Sequence, residues 1–251
     1  MALIEEMERQ GNFLFRYRGT LPLIVLVVGL LLFAHSQWLR VSLGQPELPF
    51  DRFDQLVCLF FCFLGFGIRV YTVGHTPKNT SGRNTTGQLA DELNTTGIYS
   101  VVRHPLYLGN FFLWLGMAVL TMNFWFITSF IFLYWVYYER IMFAEEQFLR
   151  GKFGPTYLDW ASRTPAFIPR LHQWQKSSLG FNWRKVIKKE KTGLLAVFTL
   201  LFLFDLIQNS IRNKLLTFEL DFWSVAFAMS LLTYMILKFG RKQIRFLSVA
   251  S

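Results

Sequence analysis

Two pairs of ionisable side chains carry the chemistry open to this sequence. Arg103 and His104 stand directly before a long apolar run, and Glu145 and Glu146 stand where that run gives way to polar residues again. A guanidinium and an imidazole bind anions, and a carboxylate accepts hydrogen bonds from hydroxyl or amine groups. Pro105 follows the basic pair and suits the first turn of a helix, where its missing N–H would have no partner anyway. The free N–H groups and positive end of that helix then face the same space as Arg103 and His104, which predicts an anion site at the helix start. If the run folds back on itself, Glu145 and Glu146 return to the same end. Basic and acidic groups could then grip opposite ends of one polar ligand.

The elements that must position these pairs are membrane helices. Of the 251 residues, 53% are apolar and 18% aromatic, with 28 phenylalanines, and mean hydropathy is +0.32. The apolar residues come in blocks of bilayer-crossing length. The expected fold is an all-α membrane protein with about six transmembrane helices near 20–38, 54–74, 106–121, 123–141, 194–211 and 222–237, a helical hairpin, and a cytoplasmic cofactor pocket. No cleaved targeting segment is expected, because Glu5, Glu6 and Glu8 sit among the basic residues before the first run. The net charge of +10 is explained by topology without nucleic acid. Arg9, Arg16, Arg18, Lys78, Arg83, Arg103, most basic residues from 140 to 191 and those from 238 to 245 fall on one side. Only Arg40, Arg52, Arg212 and Lys214 fall on the other. Both termini are therefore expected in the cytoplasm, in a bacterial inner membrane or the endoplasmic reticulum.

Along the chain, the first span reads as an anchor. In the second, Gly65 and Gly67 allow close helix contact, Cys58 and Cys62 read as small core residues, and Arg69 near the cytoplasmic end is expected to snorkel or to meet a substrate phosphate. Residues 75–96 read as a solvated linker, although Lys78 and Arg83 are of types that hold a phosphate or carboxylate. The hairpin turns at Thr121-Met122-Asn123, and its short first arm, roughly sixteen residues or about 24 Å, would sink the site below the headgroup plane. Gly109 and Gly116 share one face, where a ligand or a neighbouring helix can approach. Trp174, Phe181 and Trp183 among Lys176, Arg184, Lys185, Lys188, Lys189 and Lys191 predict an interfacial segment on anionic lipid. Asp205 and Asn209 predict an inter-helix hydrogen bond.

The run Gly-Ile-Tyr-Ser-Val-Val-Arg-His-Pro-Leu-Tyr-Leu-Gly at 97–109, then Glu145-Glu146-Gln147-Phe148-Leu149, Phe153-Gly154 with Tyr157, Thr164 and Pro169, resembles the integral-membrane methyltransferases. These comprise isoprenylcysteine carboxyl methyltransferases, phospholipid N-methyltransferases and bacterial relatives acting on lipid A phosphate. The set is shared in weaker form with membrane sterol reductases. The resemblance covers about residues 95–170 and implies S-adenosylmethionine as methyl donor. It places His104, Pro105 and Tyr107 in the donor pocket, with Gly109 beside them. Glu145 would sit on the ribose hydroxyls, and Arg103, Phe112, Met117 and Glu146 would complete the wall. Where the isoprenylcysteine enzymes carry an arginine four positions before the first glutamate, this chain has Ile141, with Arg140 one position away. A prenylated cysteine is therefore not the first expected substrate.

Three segments are expected: 1–75 with two spans, 76–170 as the methyltransferase core, and 171–251 with the interfacial segment and two further spans. The expected reaction is methyl transfer to a membrane lipid or lipidated headgroup, with an anionic oxygen as acceptor. Arg103, His104 and Glu146 are the candidate catalytic groups, and Arg69, Lys78, Arg83 and Arg140 would orient the acceptor. No metal is expected. The alternatives are amine N-methylation, with His104 or Glu146 as base, an NADPH-dependent reductase, and a non-catalytic scaffold.

Overall fold

In the computed structural model, residues 2–45, 52–77 and 88–247 are described; Lys78 and Arg83 lie outside them. These residues form eight helices: α1 (Leu3–Arg16), α2 (Leu21–Ser42), α3 (Arg52–Gly74), α4 (Pro105–Val119), α5 (Phe124–Phe153), α6 (Pro155–Arg163), α7 (Trp183–Asn213) and α8 (Phe222–Leu247). Four of them, α2, α3, α7 and α8, are long and apolar enough to cross a membrane. Their outer faces carry bare Leu, Val, Ile and Phe, as a lipid-facing surface requires. This is an all-helical integral membrane protein. Helix α4 has 15 residues and rises only about 22 Å, whereas α5 has an aromatic first half and runs on through Glu145 and Glu146 without a break.

Helices α3 and α4 pack backbone to backbone. A Cβ on Gly65 would stand 2.4 Å from the Gly109 carbonyl oxygen, and one on Gly116 would stand 2.8 Å from both the Cys58 oxygen and the Cys62 sulfur. The glycines of α4 thus serve helix packing. Gly67 has open space around it and takes no part. Cys58 and Cys62 are buried, unbridged core residues. Helix α5 closes the hairpin with an aromatic cluster in which Tyr107, Phe130, Tyr134, Tyr137, Tyr138 and Ile141 are buried together. The Tyr134 hydroxyl donates to the Tyr107 carbonyl at 2.7 Å, tying the two arms within the apolar layer. Asn123 caps α5 by accepting from the Phe126 N–H at 2.9 Å.

Four findings go beyond the sequence reading or differ from it. The N-terminal stretch is a helix docked on α5: Gly11 lies against the Arg140 carbonyl and Ala144, Phe15 is buried, and the Tyr137 hydroxyl donates to the Leu14 carbonyl at 3.1 Å. The described end of the supposed linker is structured as well. Ala90 is buried and its carbonyl accepts from Lys152, and Gly97, at φ +62, pairs in an isolated bridge with Gln175. The Asp205–Asn209 hydrogen bond, 3.0 Å, lies within α7 and not between helices, because i and i+4 side chains share a face. Asp205 also interacts with Asp221, the residue before α8. The aromatic segment before α7 is docked too: Phe181 fills the space beside Gly74, and the Asn182 N–H donates to the Gly74 carbonyl at 2.9 Å.

Candidate functional site

The basic pair is held by the chain itself. Gly154, at φ +54, turns α5 into the short α6, after which Thr164 and Pro165 lead an extended return past the start of α4. There the Arg103 N–H donates to the Pro165 carbonyl (2.9 Å) and the His104 N–H to the Ala166 carbonyl (3.2 Å). The His104 carbonyl accepts from Tyr107 and Leu108, both at 3.1 Å. Arg103 grips Glu146 through Nε (2.9 Å) and Nη2 (3.1 Å), while its Nη1 donates to the carbonyls of Ala161 (2.8 Å) and Thr164 (2.6 Å). His104 lies between the two carboxylates, with Nε2 2.9 Å from Glu146 and Nδ1 3.5 Å from Glu145. The hairpin therefore brings both pairs together as the spacing predicts. The anion site expected at the helix start is filled by the protein's own Glu146 and by backbone carbonyls.

This network polarises its members. Burial alone would lower the imidazole pKa, but the hydrogen bonds and charges of Glu145 and Glu146 outweigh it and raise His104 above its ordinary 6.5. Burial would raise Glu146, and the hydrogen bond and charge of His104, then Arg103, outweigh that and lower it below 4.5. The same contacts therefore favour the protonated imidazole and the ionised carboxylate.

A cavity of about 510 Å³ opens beside the network. Of the predicted residues, Arg69, Arg103, His104, Pro105, Tyr107 and Glu145 line it. Glu145 Oε1 accepts from the Tyr107 hydroxyl at 2.6 Å and lies 3.8 Å from Arg18. Glu146 stands behind Arg103 and His104 and is absent from the lining. Gly109 is pressed against Arg69 and Gly65, and Phe112 stacks on Phe61. Met117 faces a separate apolar cleft between α2, α4 and α5. Arg140 lies under α1, and Ile141 is fully buried in the aromatic cluster, so neither supplies the isoprenylcysteine-type arginine to the cavity. Arg69 does not snorkel: it pairs with Glu190 of α7 and with Asn110.

Other lining residues were not foreseen: Phe15 and Arg18 from the α1–α2 corner, Gln88 to Ala90 and Glu92 to Asn94, Tyr99, Asn110, and Lys189 and Glu190 from α7. One signal was available. Glu190 is an acidic residue inside a basic run, next to an apolar span.

The sequence pattern of the phospholipid methyltransferase family matches residues 54–156, which contain the hairpin and both charged pairs. A probable protein-S-isoprenylcysteine O-methyltransferase of Oryza sativa subsp. indica is 31% identical over 144 residues, 55% of this chain and 72% of that protein. The chain belongs to this family of membrane methyltransferases. The methyltransferase is also 32% identical to the nickel-cobalt-cadmium resistance protein NccN of Alcaligenes xylosoxydans xylosoxydans, over 66% of this chain and 71% of that protein. It is 38% identical to the protein-S-isoprenylcysteine O-methyltransferase of Schizosaccharomyces pombe over 80 residues, 32% of this chain and 34% of that protein. No solved structure matches the methyltransferase. Enzymes of this family generally use S-adenosylmethionine.

Proposed function

We propose that this methyltransferase holds S-adenosylmethionine in the cavity beside His104 and Glu145 and methylates an anionic oxygen, phosphate or carboxylate, on a lipid or lipidated headgroup. One observation carries the reading: Glu145 is presented on the wall of a cavity of about 510 Å³, within the ~300–1,000 Å³ usual for cofactor sites. The residues fit such a donor. Glu145 has the acceptor oxygens that a pair of ribose hydroxyls needs, and Tyr99, Tyr107 and Trp160 offer aromatic surface for a sulfonium or an adenine. When bound, the donor supplies a methyl group on a positively charged sulfur. The chain's own part is positioning. Glu146 fixes Arg103 and His104, His104 and Tyr107 orient Glu145, and α1 with residues 88–94 covers the site against water.

An anionic acceptor is favoured over an amine because it needs no proton removed, and the His104 Nε2 that could take one is already hydrogen-bonded to Glu146 at 2.9 Å. Six crossings, with α4 and α5 as a hairpin and the cavity open to the cytoplasm, complete this reading, as do a core at 76–170 and flanking segments at 1–75 and 171–251. The isoprenylcysteine named in the relatives belongs to those proteins, and a prenylated cysteine is one carboxylate acceptor to test.

The experiment is incubation of the purified protein with methyl-labelled S-adenosylmethionine and either total membrane lipid or a prenylated cysteine, followed by mass analysis, with S-adenosylhomocysteine binding measured by calorimetry. Label on a lipid oxygen, together with binding of S-adenosylhomocysteine, is the expected result. A folded protein that binds no S-adenosylhomocysteine and labels nothing would overturn the reading.

A further inference from the structure

The extended return after α6 presents a bare apolar wedge. Ile168 and Leu171 are 75% and 74% exposed, and Trp174 follows at 49%. Isolated exposed apolar residues need no explanation, but a cluster on a segment tied to the candidate site does.

The wedge adjoins the apolar surface of the α4–α5 hairpin. Next to Ile168, the Phe167 ring stands 5.8 Å from Phe111 of α4 and 5.6 Å from Trp135 of α5. Trp135 precedes Glu145 by ten positions, about 15 Å along a helix. The Phe167 side chain therefore reaches past the charged pairs toward the aromatic half of α5. On that half Phe132, Leu133, Trp135 and Val136 are bare, and the wedge continues the same surface.

The backbone of this strap is suited to an apolar boundary. Pro165 and Pro169 have no N–H to leave unpaired. The Pro165 and Ala166 carbonyls accept from Arg103 and His104, and the Arg170 N–H donates to the Val101 carbonyl at 3.0 Å. Fewer backbone groups are then left to face hydrocarbon, where water could not satisfy them. Charge follows the same pattern. Between Asp159 and Glu190 the chain has no acidic residue, and Asp159 is paired with Arg163. Arg170 and Lys176, both exposed, flank the wedge. Their stems can lie along apolar surface while their charged ends reach headgroups. An apolar tip with a basic flank suits anionic lipid, whose acyl chains take the tip and whose phosphates take the cations.

We infer that residues 165–176 form a membrane-surface wedge: Ile168 and Leu171 enter the acyl-chain boundary of the leaflet beside the charged pairs, and Arg170 and Lys176 meet its anionic headgroups. The interfacial segment read from the sequence lies further on, and its Phe181 turns inward against Gly74. Because carbonyls of the strap hold Arg103 and His104, the wedge sets the depth of the candidate site in the bilayer. This contact does not depend on the methyl-transfer reading.

The test uses the full-length protein, labelled in micelles and reconstituted in phosphatidylcholine liposomes with or without roughly a quarter phosphatidylglycerol. Ile168→Cys carries an environment-sensitive maleimide fluorophore. Gly151→Cys, exposed on the α5 extension with open space around it, is the water-facing control. Cys58 and Cys62 are buried, so the parent is the unlabelled blank. Lipids brominated on their acyl chains are expected to quench about half or more of the emission at 168, and little at 151. Phosphatidylglycerol deepens the quenching at 168, and adding Arg170→Glu/Lys176→Glu abolishes that increase. Leu171→Cys, equally exposed, carries the test if Ile168→Cys does not fold.

Quenching at 168 no greater than at 151 overturns the wedge. Equal quenching with and without phosphatidylglycerol, or an increase that survives the charge reversal, overturns the anionic preference. Emission at 168 that shifts with protein concentration in micelles and ignores brominated lipid gives the patch to a second copy and overturns the lipid contact. Each of these results is independent of whether S-adenosylhomocysteine binds.

Discussion

At the scale of single residues, adjacent glutamates have divided roles. Glu146 is structural, since it ties Arg103 and His104 to α5, whereas Glu145 is presented to the cavity with Tyr107 and His104 setting its orientation. Glu145→Ala should lower S-adenosylhomocysteine affinity by roughly tenfold or more, the value of lost hydrogen bonds to a charged acceptor, and should also cost about 1–3 kcal/mol of stability because it strands the buried Tyr107 hydroxyl. Glu146→Gln should act mainly on stability: it strands Arg103 and His104 half-paired and costs on the order of 1.5–3 kcal/mol, read as a fall in thermal midpoint, with a smaller change in S-adenosylhomocysteine affinity. The network also fixes a pH dependence. His104 is raised, so its contribution to stability is complete below pH 6.5 and is lost as pH climbs through its folded value. Glu146 is lowered, so its contribution is complete above pH 4.5 and is lost as pH falls through its folded value. The thermal midpoint of the parent should therefore decline on the alkaline side of 6.5, and His104→Asn should lack that component of the decline.

At the scale of elements, α1 is the part whose role local sequence did not disclose. Its 14 residues mix charged, polar and apolar side chains, and nothing within them names the surface on which the helix docks. Its seat on α5 depends on Gly11, where a Cβ would meet the Arg140 carbonyl oxygen at 2.1 Å. Gly11→Leu should lift the helix, cost about 1–3 kcal/mol from overpacking, and withdraw Phe15 and Arg18 from the cavity. The check is thermal denaturation beside S-adenosylhomocysteine titration, both expected to fall together. The hairpin behaves differently, because its turn at Thr121-Met122-Asn123, the proline at the start of α4 and the asparagine cap of α5 are all local signals. Its arms accordingly lie where the sequence puts them, and α5 runs on to carry both glutamates back to the basic pair.

At the scale of the whole molecule, the cavity takes residues from α1, α3, α4, α5, α6 and α7, so α7 belongs to the site although it lies far from the charged pairs in sequence. If the hairpin crosses the bilayer, Met122→Cys should react with a membrane-impermeant maleimide added from outside the cytoplasm. Cys58 and Cys62, buried at 0% and 2% exposure, should stay silent. Labelling only after permeabilisation would instead make the hairpin re-entrant. The sequence by itself determined that apolar helices of membrane-crossing length are present, that α4 starts at Pro105, and that Arg103-His104 meets Glu145-Glu146, because apolar run length, the missing proline N–H and a tight turn act over neighbouring residues. Only the tertiary structure decided how the charges are spent. Arg103 and His104 are consumed by Glu146 and backbone carbonyls, and Arg69 turns inward because Glu190 waits on a helix 121 positions away. Which cation meets which anion follows from three-dimensional distance, and local spacing does not encode partners that far apart.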